Sequence, residues 1–203
     1  MDKILLVGAG GHAYSCISVL ELLKNYKIEG LIDNNKLIGS EILGYKILGK
    51  DSEIPKIRKT INNAIVTVGQ IKSAKIRIRL FNFLKEQKFN LPVIISPRSY
   101  VSNYSNIGEG TIIMHDVVAN SDVKIGKNCI INNKALIEHG VSIGDNCHIS
   151  TGAILNGDVA IGDNTFIGSG SVIMQSIAIG SDCIIGAGSI IKTGIKSSEM
   201  VKN

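Results

Sequence analysis

The chain has 203 residues, enough for one or two domains, with 44% hydrophobic residues, 4% aromatic residues and no tryptophan. Its formal net charge is +5, but aromatic residues are not interleaved with the basic ones, which argues against nucleic acid and for solvated helix faces or a polyanionic small ligand. No apolar run reaches membrane-spanning length, no signal peptide precedes the first strand, and Cys16, Cys129, Cys147 and Cys183 form no metal spacing, so a reduced cytoplasmic protein without membrane insertion is expected.

Lys3-Ile4-Leu5-Leu6-Val7 reads as a buried strand. The turn Gly8-Ala9-Gly10-Gly11-His12-Ala13 follows, then a helical stretch to about Lys24. Ile28 to Ile32 gives a second strand ending at Asp33-Asn34. Residues 35–53 read as a loop, with a turn at Gly44-Tyr45 and Ser52 as a candidate helix cap. Asn63 to Val68 gives a third strand ending at Gly69-Gln70, and a Lys/Arg-rich helix runs from about Ser73 to Gln87. Lys72, Lys75, Arg77 and Arg79, like Lys56, Arg58 and Lys59, have spacings that suit solvent-facing helix positions. Pro92 to Ile94 leads out of this segment. The order predicts a Rossmann-like βαβ unit with a parallel sheet over residues 1–94.

Gly8-x-Gly10-x-x-Ala13, with Asp33 twenty residues beyond, fits the dinucleotide fingerprint. Three or four strands before residue 95 make about half of a two-lobed dinucleotide sheet, so a nicotinamide cofactor is the lesser reading. The same physics serves any diphosphate: glycines let the backbone approach and a helix N-terminus faces the anion. His12 in that turn can donate to a phosphate or a sugar, or it is a capping or exposed loop residue.

From Ile95 to Lys196 the chain repeats every six residues, through 17 hexads in register. Every hexad but one starts with a branched aliphatic (Ile95, Val101, Ile107 and so on, with Ala119 the exception), and every fifth position is small or β-branched. An amphipathic helix would place apolar residues at i, i+3, i+4 and i+7, so the period specifies short strands and tight turns instead. Three hexads make one triangular coil of 18 residues, and coils stack as parallel strands about 4.8 Å apart. Gly126/Asn128, Gly144/Asn146, Gly162/Asn164 and Gly180/Asp182 recur 18 apart and stack on one corner, where Gly and Asn tolerate a left-handed backbone. Cys129 and Cys147 stack likewise, as core filler rather than as a disulfide.

This pattern resembles the hexapeptide-repeat left-handed parallel β-helix, here over residues 95–203. The resemblance implies a trimeric acyltransferase that uses acetyl-CoA or acyl carrier protein. Gly8–Ala13, Leu31-Ile32-Asp33-Asn34 and Val68-Gly69, followed by the coils, are together similar to bacterial acetyltransferases of amino sugars and sialic-acid-like sugars for surface glycans. That resemblance implies a homotrimer, acetyl-CoA as cosubstrate, and a nucleotide sugar held by the N-terminal domain. Gly8, Gly10, Gly11 and His12 would then face the pyrophosphate, Asp33 and Asn34 the uracil or ribose, and Gly69 the same cleft.

Within Ile137-Glu138-His139-Gly140, His139 matches the catalytic histidine, with Asn132 seven residues earlier and Glu138 beside it. His148 matches a histidine near the acetyl donor, Gly157 an oxyanion donor, and Ser169 and Ala187 with Gly157 the coenzyme track at related corners of successive coils. Without the resemblance, His139 reads equally well as an exposed turn residue. The implied reaction is N-acetylation of a UDP-4-amino sugar. O-acetylation of sialic acid or a related sugar, and a non-catalytic nucleotide-sugar scaffold, are the rivals. Relatives often carry a carboxylate directly after the catalytic histidine, but this chain has Gly140, and its C-terminal sequence also departs from the pattern. A zinc site of the kind found in trimeric β-helix hydratases needs two histidines five apart, and the spacings here are 24 and nine, so no metal is expected.

Overall fold

The computed structural model describes residues 1–202. The N-terminal unit contains β1 (Asp2–Val7), α1 (Gly11–Leu22), β2 (Tyr26–Ile32), β3 (Glu41–Ile42), β4 (Tyr45–Gly49), a 3-10 turn at Asp51–Glu53, α2 (Ile54–Ile57), β5 (Asn63–Val66) and α3 (Lys75–Glu86). The sheet order is β3-β4-β2-β1-β5, parallel except for the β3–β4 hairpin. Ala13, Cys16, Ile17, Val19 and Leu20 of α1 share one core with Ile4, Leu6, Leu31 and Ile65 of the sheet and with Ile94, Ile112 and Ile130 of the coils. Sandwiching α1 between sheet and coils makes the two units one packed body. On the other side of the sheet, Leu80, Phe81 and Leu84 of α3 pack with Leu5, Val7, Ala64 and Val66.

Residues 35–53 are not a loop. They hold the β3–β4 hairpin: β4 adds a fourth parallel strand by pairing with β2, and β3 adds a fifth, antiparallel to β4. The two-residue turn has φ 49° at Leu43 and 83° at Gly44. Leucine in that position conceals a hairpin that Asn-Gly would have advertised. Ser52 lies inside the 3-10 turn, whose N-cap is Lys50 without a side-chain cap bond. Arg77 is also not on a solvent face: it is 1% exposed. Its Nη1 donates to the carbonyls of Val66 (3.1 Å) and Val68 (2.7 Å), and its Nη2 to the carbonyl (3.1 Å) and Oδ1 (2.8 Å) of Asn128 in the coils. The guanidinium thus ties α3, the end of β5 and a coil corner together. Burial without a carboxylate partner lowers its pKa to about 10.

The coils form a left-handed parallel β-helix of two-residue strands in three sheets. The first face, from Ile94–Ile95 to Met200–Val201, carries the N-terminal unit. The second runs from Tyr100–Val101 to Ile190–Ile191 and the third from Asn106–Ile107 to Ala178–Ile179. Inward residues such as Ile113, Ile131, Ile149 and Ile167 are fully buried in one column. Every sixth residue from Gly110 to Gly188 has positive φ, including Asn128, Gly140, Asn146, Asp158 and Asn164. The left-handed turn therefore belongs to the fourth position alone. The second-position glycines, such as Gly144 and Gly162, have ordinary φ and are needed because a Cβ would strike the next coil.

The corner between the third and first faces explains its fifth positions. Thr111 Oγ1, Cys129 Sγ, Cys147 Sγ and Thr165 Oγ1 donate to the carbonyls of Gly126, Gly144, Gly162 and Gly180, at 2.8, 3.1, 3.1 and 2.8 Å. A hydroxyl or thiol is required there, and all four cysteines are free thiols. On the same corner the amides of Asn128, Asn146 and Asn164 donate upward in a ladder ending on Asp182. Arg77 starts the ladder at Asn128 Oδ1, so every amide dipole points the same way.

Candidate active site

The first candidate region is the C-terminal edge of the parallel sheet. Val7, Gly8, Asp33, Asn34, Asp51, Val68 and Arg79 line a cleft there, beside the N-terminus of α1. Gly8 has φ 114° and lets the β1–α1 turn touch Val68. Nothing lies within 4 Å of a Cβ built on Gly10 or Gly11, and α1 has no side-chain N-cap. Open space before uncapped helix N–H groups is what an anionic group requires. Asp33 shapes the turn, accepting from Ala9 N and Asn35 N, both at 2.8 Å, while Asn34 Oδ1 accepts from Asp51 N at 3.0 Å.

His12 leaves this turn toward the coils and packs on Gly69. The residue keeps some exposure, but its Nε2 is sealed and has no partner among the described residues. Burial first, then Arg77 and His148, lower its pKa to about 3, so it is a neutral imidazole. Gln70 follows and is 3% exposed. Its Nε2 donates to the Asn146 carbonyl at 3.0 Å, and its own carbonyl accepts from His148 Nδ1 at 2.5 Å. That contact fixes the His148 tautomer: Nδ1 carries the proton, and Nε2 accepts from Asn132 Nδ2 at 3.3 Å. His148 sits edge-on to Phe166 with ring centroids 5.2 Å apart. Burial lowers its pKa to about 4, against the opposing effect of the Gln70 carbonyl. His12, Gly69, His148 and Asn132 are thus brought together at the junction, with neither nitrogen of His148 left free.

His139 is elsewhere in the same chain. It lies on the corner between the second and third faces, while the N-terminal unit covers the first. It is exposed, and its ring lies over Gly157 of the next coil: a Cβ there would be 2.6 Å from Cε1 and 2.8 Å from Nε2. Only glycine fits under the ring, and the Gly157 N–H finds no acceptor among the described residues. Glu138 does not meet His139, for its Oε2 accepts from Asn120 Nδ2 at 2.7 Å. Ser169 and Ala187 are exposed and stack on a different corner, between the first and second faces, so Gly157 is not in their column. Gly157 lies 12 residues before Ser169, two hexads rather than a full coil.

Sequence reasoning missed Gln70 and Arg77. A buried glutamine after a strand leaves no periodic signal, and Arg77 sits in a helix whose other basic residues are exposed. Among the described residues no group of histidines, cysteines or carboxylates could hold a metal, and no helix is long and apolar enough to cross a membrane.

Comparison with known proteins agrees with this architecture. The family model of the PglD N-terminal domain matches residues 3–84, and that of the bacterial transferase hexapeptide (six repeats) matches residues 104–139 and 158–193. The chain therefore belongs to the hexapeptide-repeat sugar acetyltransferases with a PglD-type N-terminal domain, and it is an acyltransferase. Among solved structures it is similar to a mutant of perosamine N-acetyltransferase from Caulobacter crescentus in complex with CoA and GDP-perosamine, with 27% identity and a TM-score of 0.93 over 98% of this chain and 93% of that one. It is also similar to the acetyltransferase domain of PglB from Neisseria gonorrhoeae in complex with acetyl coenzyme A, with 28% identity and a TM-score of 0.91 over 98% and 95%. WeeI from Acinetobacter baumannii shares the fold at 22% identity and a TM-score of 0.83, over 100% and 97%. By sequence alone no curated protein is matched.

Proposed function

We propose that this enzyme transfers the acetyl group of acetyl-CoA to the amine of a nucleotide-diphosphate amino sugar, a UDP-4-amino sugar first among them. The observation that carries the reading is the pairing of His139 with the Gly157 N–H: a base lying on a donor without an acceptor. An ammonium sugar must lose a proton before its nitrogen attacks the thioester carbonyl, and His139 takes that proton. The Gly157 N–H holds the oxyanion of the tetrahedral intermediate, whose collapse expels the coenzyme thiolate, and that thiolate takes the second proton the attacking nitrogen must lose. Neutral His148 and Asn132 position the groups beside the junction, and the Gly10–Gly11 turn holds the diphosphate. Ser169 and Ala187, stacked on the corner between the first and second faces, line the path of the coenzyme.

His139 and the nucleotide cleft lie on different sides of one prism, so a site using both draws on two copies. The second face supports a trimer. Its outward residues are Tyr100, Val118, Leu136, Ile154, Val172 and Ile190, with Tyr100 59% and Ile190 62% exposed. A continuous apolar stripe of this kind is a subunit interface. A GDP-linked amino sugar is the second reading, favoured by the Caulobacter enzyme crystallised with GDP-perosamine. Incubation with acetyl-CoA and a panel of UDP- and GDP-amino sugars and sialic acid, reading free thiol, tests the proposal. Thiol release with an amino sugar nucleotide is expected. Release with sialic acid alone, or with no acceptor, would contradict it.

A further inference from the structure

Gln70 belongs to the segment that leaves β5, and it touches the coils twice. Its side-chain Nε2 donates to the Asn146 carbonyl at 3.0 Å, and its main-chain carbonyl accepts from Nδ1 of His148 at 2.5 Å. The first bond anchors the segment on the prism. The second sets the ring of His148, which is buried. A side chain at 70 that cannot donate keeps the main-chain carbonyl but loses the anchor that holds it in place.

The far side of the ring makes the same demand. Asn132 Oδ1 accepts from the main-chain N–H of Asn133 at 2.8 Å, which fixes the way the amide faces. Asn132 Nδ2 is therefore the atom 3.3 Å from His148 Nε2, and Nε2 must be bare to accept from it. Gln70 offers only an acceptor, so Nδ1 must carry the proton. Both neighbours select the Nδ1–H tautomer, the less populated one for a free histidine side chain in water. A proton on Nε2 instead would set donor against donor at Asn132 and acceptor against acceptor at Gln70. The second N–H of Asn132 meets no acceptor among the described residues. Asn132 is partly exposed and follows Ile130–Ile131, on the corner that also carries Ser169 and Ala187. On the next two coils of that corner, a Cβ built on Gly152 or Gly170 meets nothing within 4 Å.

We infer that Gln70 is a positioning residue for acetyl transfer: it holds His148 as the Nδ1–H tautomer, and His148 turns the Asn132 amide so that its remaining N–H is offered to the acyl end of the coenzyme. The inference rests on the proposed path of the coenzyme along this corner. No proton moves through the chain of bonds, since each group keeps its own hydrogen. A residue of the N-terminal unit thereby sets a donor on the coenzyme side of the same chain.

The test compares the wild type with Q70M, H148Q and H148N. Nitrogen-15 NMR of the His148 ring is expected to show Nδ1 protonated and Nε2 bare in the wild type, and a shift toward Nε2–H in Q70M. The KM for acetyl-CoA is expected to rise on the order of 3- to 10-fold in Q70M, the value of one neutral hydrogen bond, with the KM for the sugar nucleotide within about twofold. H148Q places an acceptor where Nε2 stands, whereas H148N places a donor where Nδ1 stands and leaves Asn132 without an acceptor. H148Q is therefore expected to bind acetyl-CoA more tightly than H148N, an order that a purely structural role of the ring would not produce. A wild-type ring protonated on Nε2, or an H148N enzyme that binds acetyl-CoA as well as H148Q does, would overturn the inference. An unchanged tautomer and unchanged KM in Q70M would do the same. Should Q70M fail to fold, the wild-type tautomer and the order of the two His148 variants still decide. If the wild type acetylates nothing, the functional reading fails, while the tautomer and calorimetric binding of acetyl-CoA still decide on Gln70.

Discussion

Replacing Arg77 by methionine tests the claim that one buried cation locks the two units together. The guanidinium makes four hydrogen bonds of 2.7 to 3.1 Å, all to uncharged acceptors: Val66 O, Val68 O, Asn128 O and Asn128 Oδ1. Methionine follows the aliphatic stem but leaves those acceptors without a donor, at about 1–3 kcal/mol for each that water cannot reach. Against this, the substitution relieves the burial of an unpaired charge, which costs several kcal/mol. With all four acceptors stranded the gross loss is about 4–12 kcal/mol, and taking off several kcal/mol for the relieved charge leaves a net loss of about 3–5 kcal/mol, in line with removal of one partner from a buried polar cluster. At about 2–4 °C per kcal/mol for a chain of this size, the melting temperature falls by roughly 6–20 °C. Urea unfolding by circular dichroism at fixed protein concentration measures the loss, and hydrogen exchange localises it to residues 66–70 and 126–130. A loss under about 1 kcal/mol with unchanged exchange would refute the argument that the guanidinium satisfies otherwise orphaned carbonyls.

Cys147→Thr is expected to stay within about 1 kcal/mol of wild type, because Thr165 makes the same bond one coil on, whereas Cys147→Val strands the Gly162 carbonyl and loses about 1–3 kcal/mol in the same urea assay. Acid is expected to destabilise the fold through its two depressed histidines. Between pH 6.5 and about 4 the unfolded chain binds a proton at His148 that the folded chain refuses, so stability falls with pH, by about 3 kcal/mol from this residue when pH 4 is reached. His12, with its pKa near 3, adds its own loss over the same window and carries it on down to about pH 3. His148→Asn keeps a donor for the Gln70 carbonyl and is expected to flatten the slope of stability against pH; an unchanged slope would remove His148 from the account. Co-expression of His139→Ala with Gly11→Val is expected to yield mixed assemblies more active than either variant alone, because the site is shared between copies. No recovery would place both parts within one chain.

The hexad period made half of the fold legible, since a six-residue repeat of inward aliphatics has one architectural solution. Even there, it misplaced the role of the second-position glycines, because close coil approach and a left-handed backbone both select glycine and a sequence does not separate them. The β3–β4 hairpin was hidden by Leu43 in a left-handed turn position. The Gly8–His12 turn and the Asp33 strand end were readable because backbone approach to an anion demands glycine after a strand. Arg77 and Gln70 were not, because all but one of the acceptors of their side chains are main-chain carbonyls, and any sequence supplies those.

The central claim is that His139 is the base acting on a substrate whose nucleotide is held by the N-terminal unit. Steady-state turnover of His139→Ala, measured beside calorimetric binding of the sugar nucleotide, tests it most directly. A positioned acid–base group contributes on the order of 10²–10⁴-fold, so kcat is expected to fall by that factor while nucleotide affinity stays nearly constant. Near-normal turnover in His139→Ala, or a loss confined to nucleotide binding, would contradict the account.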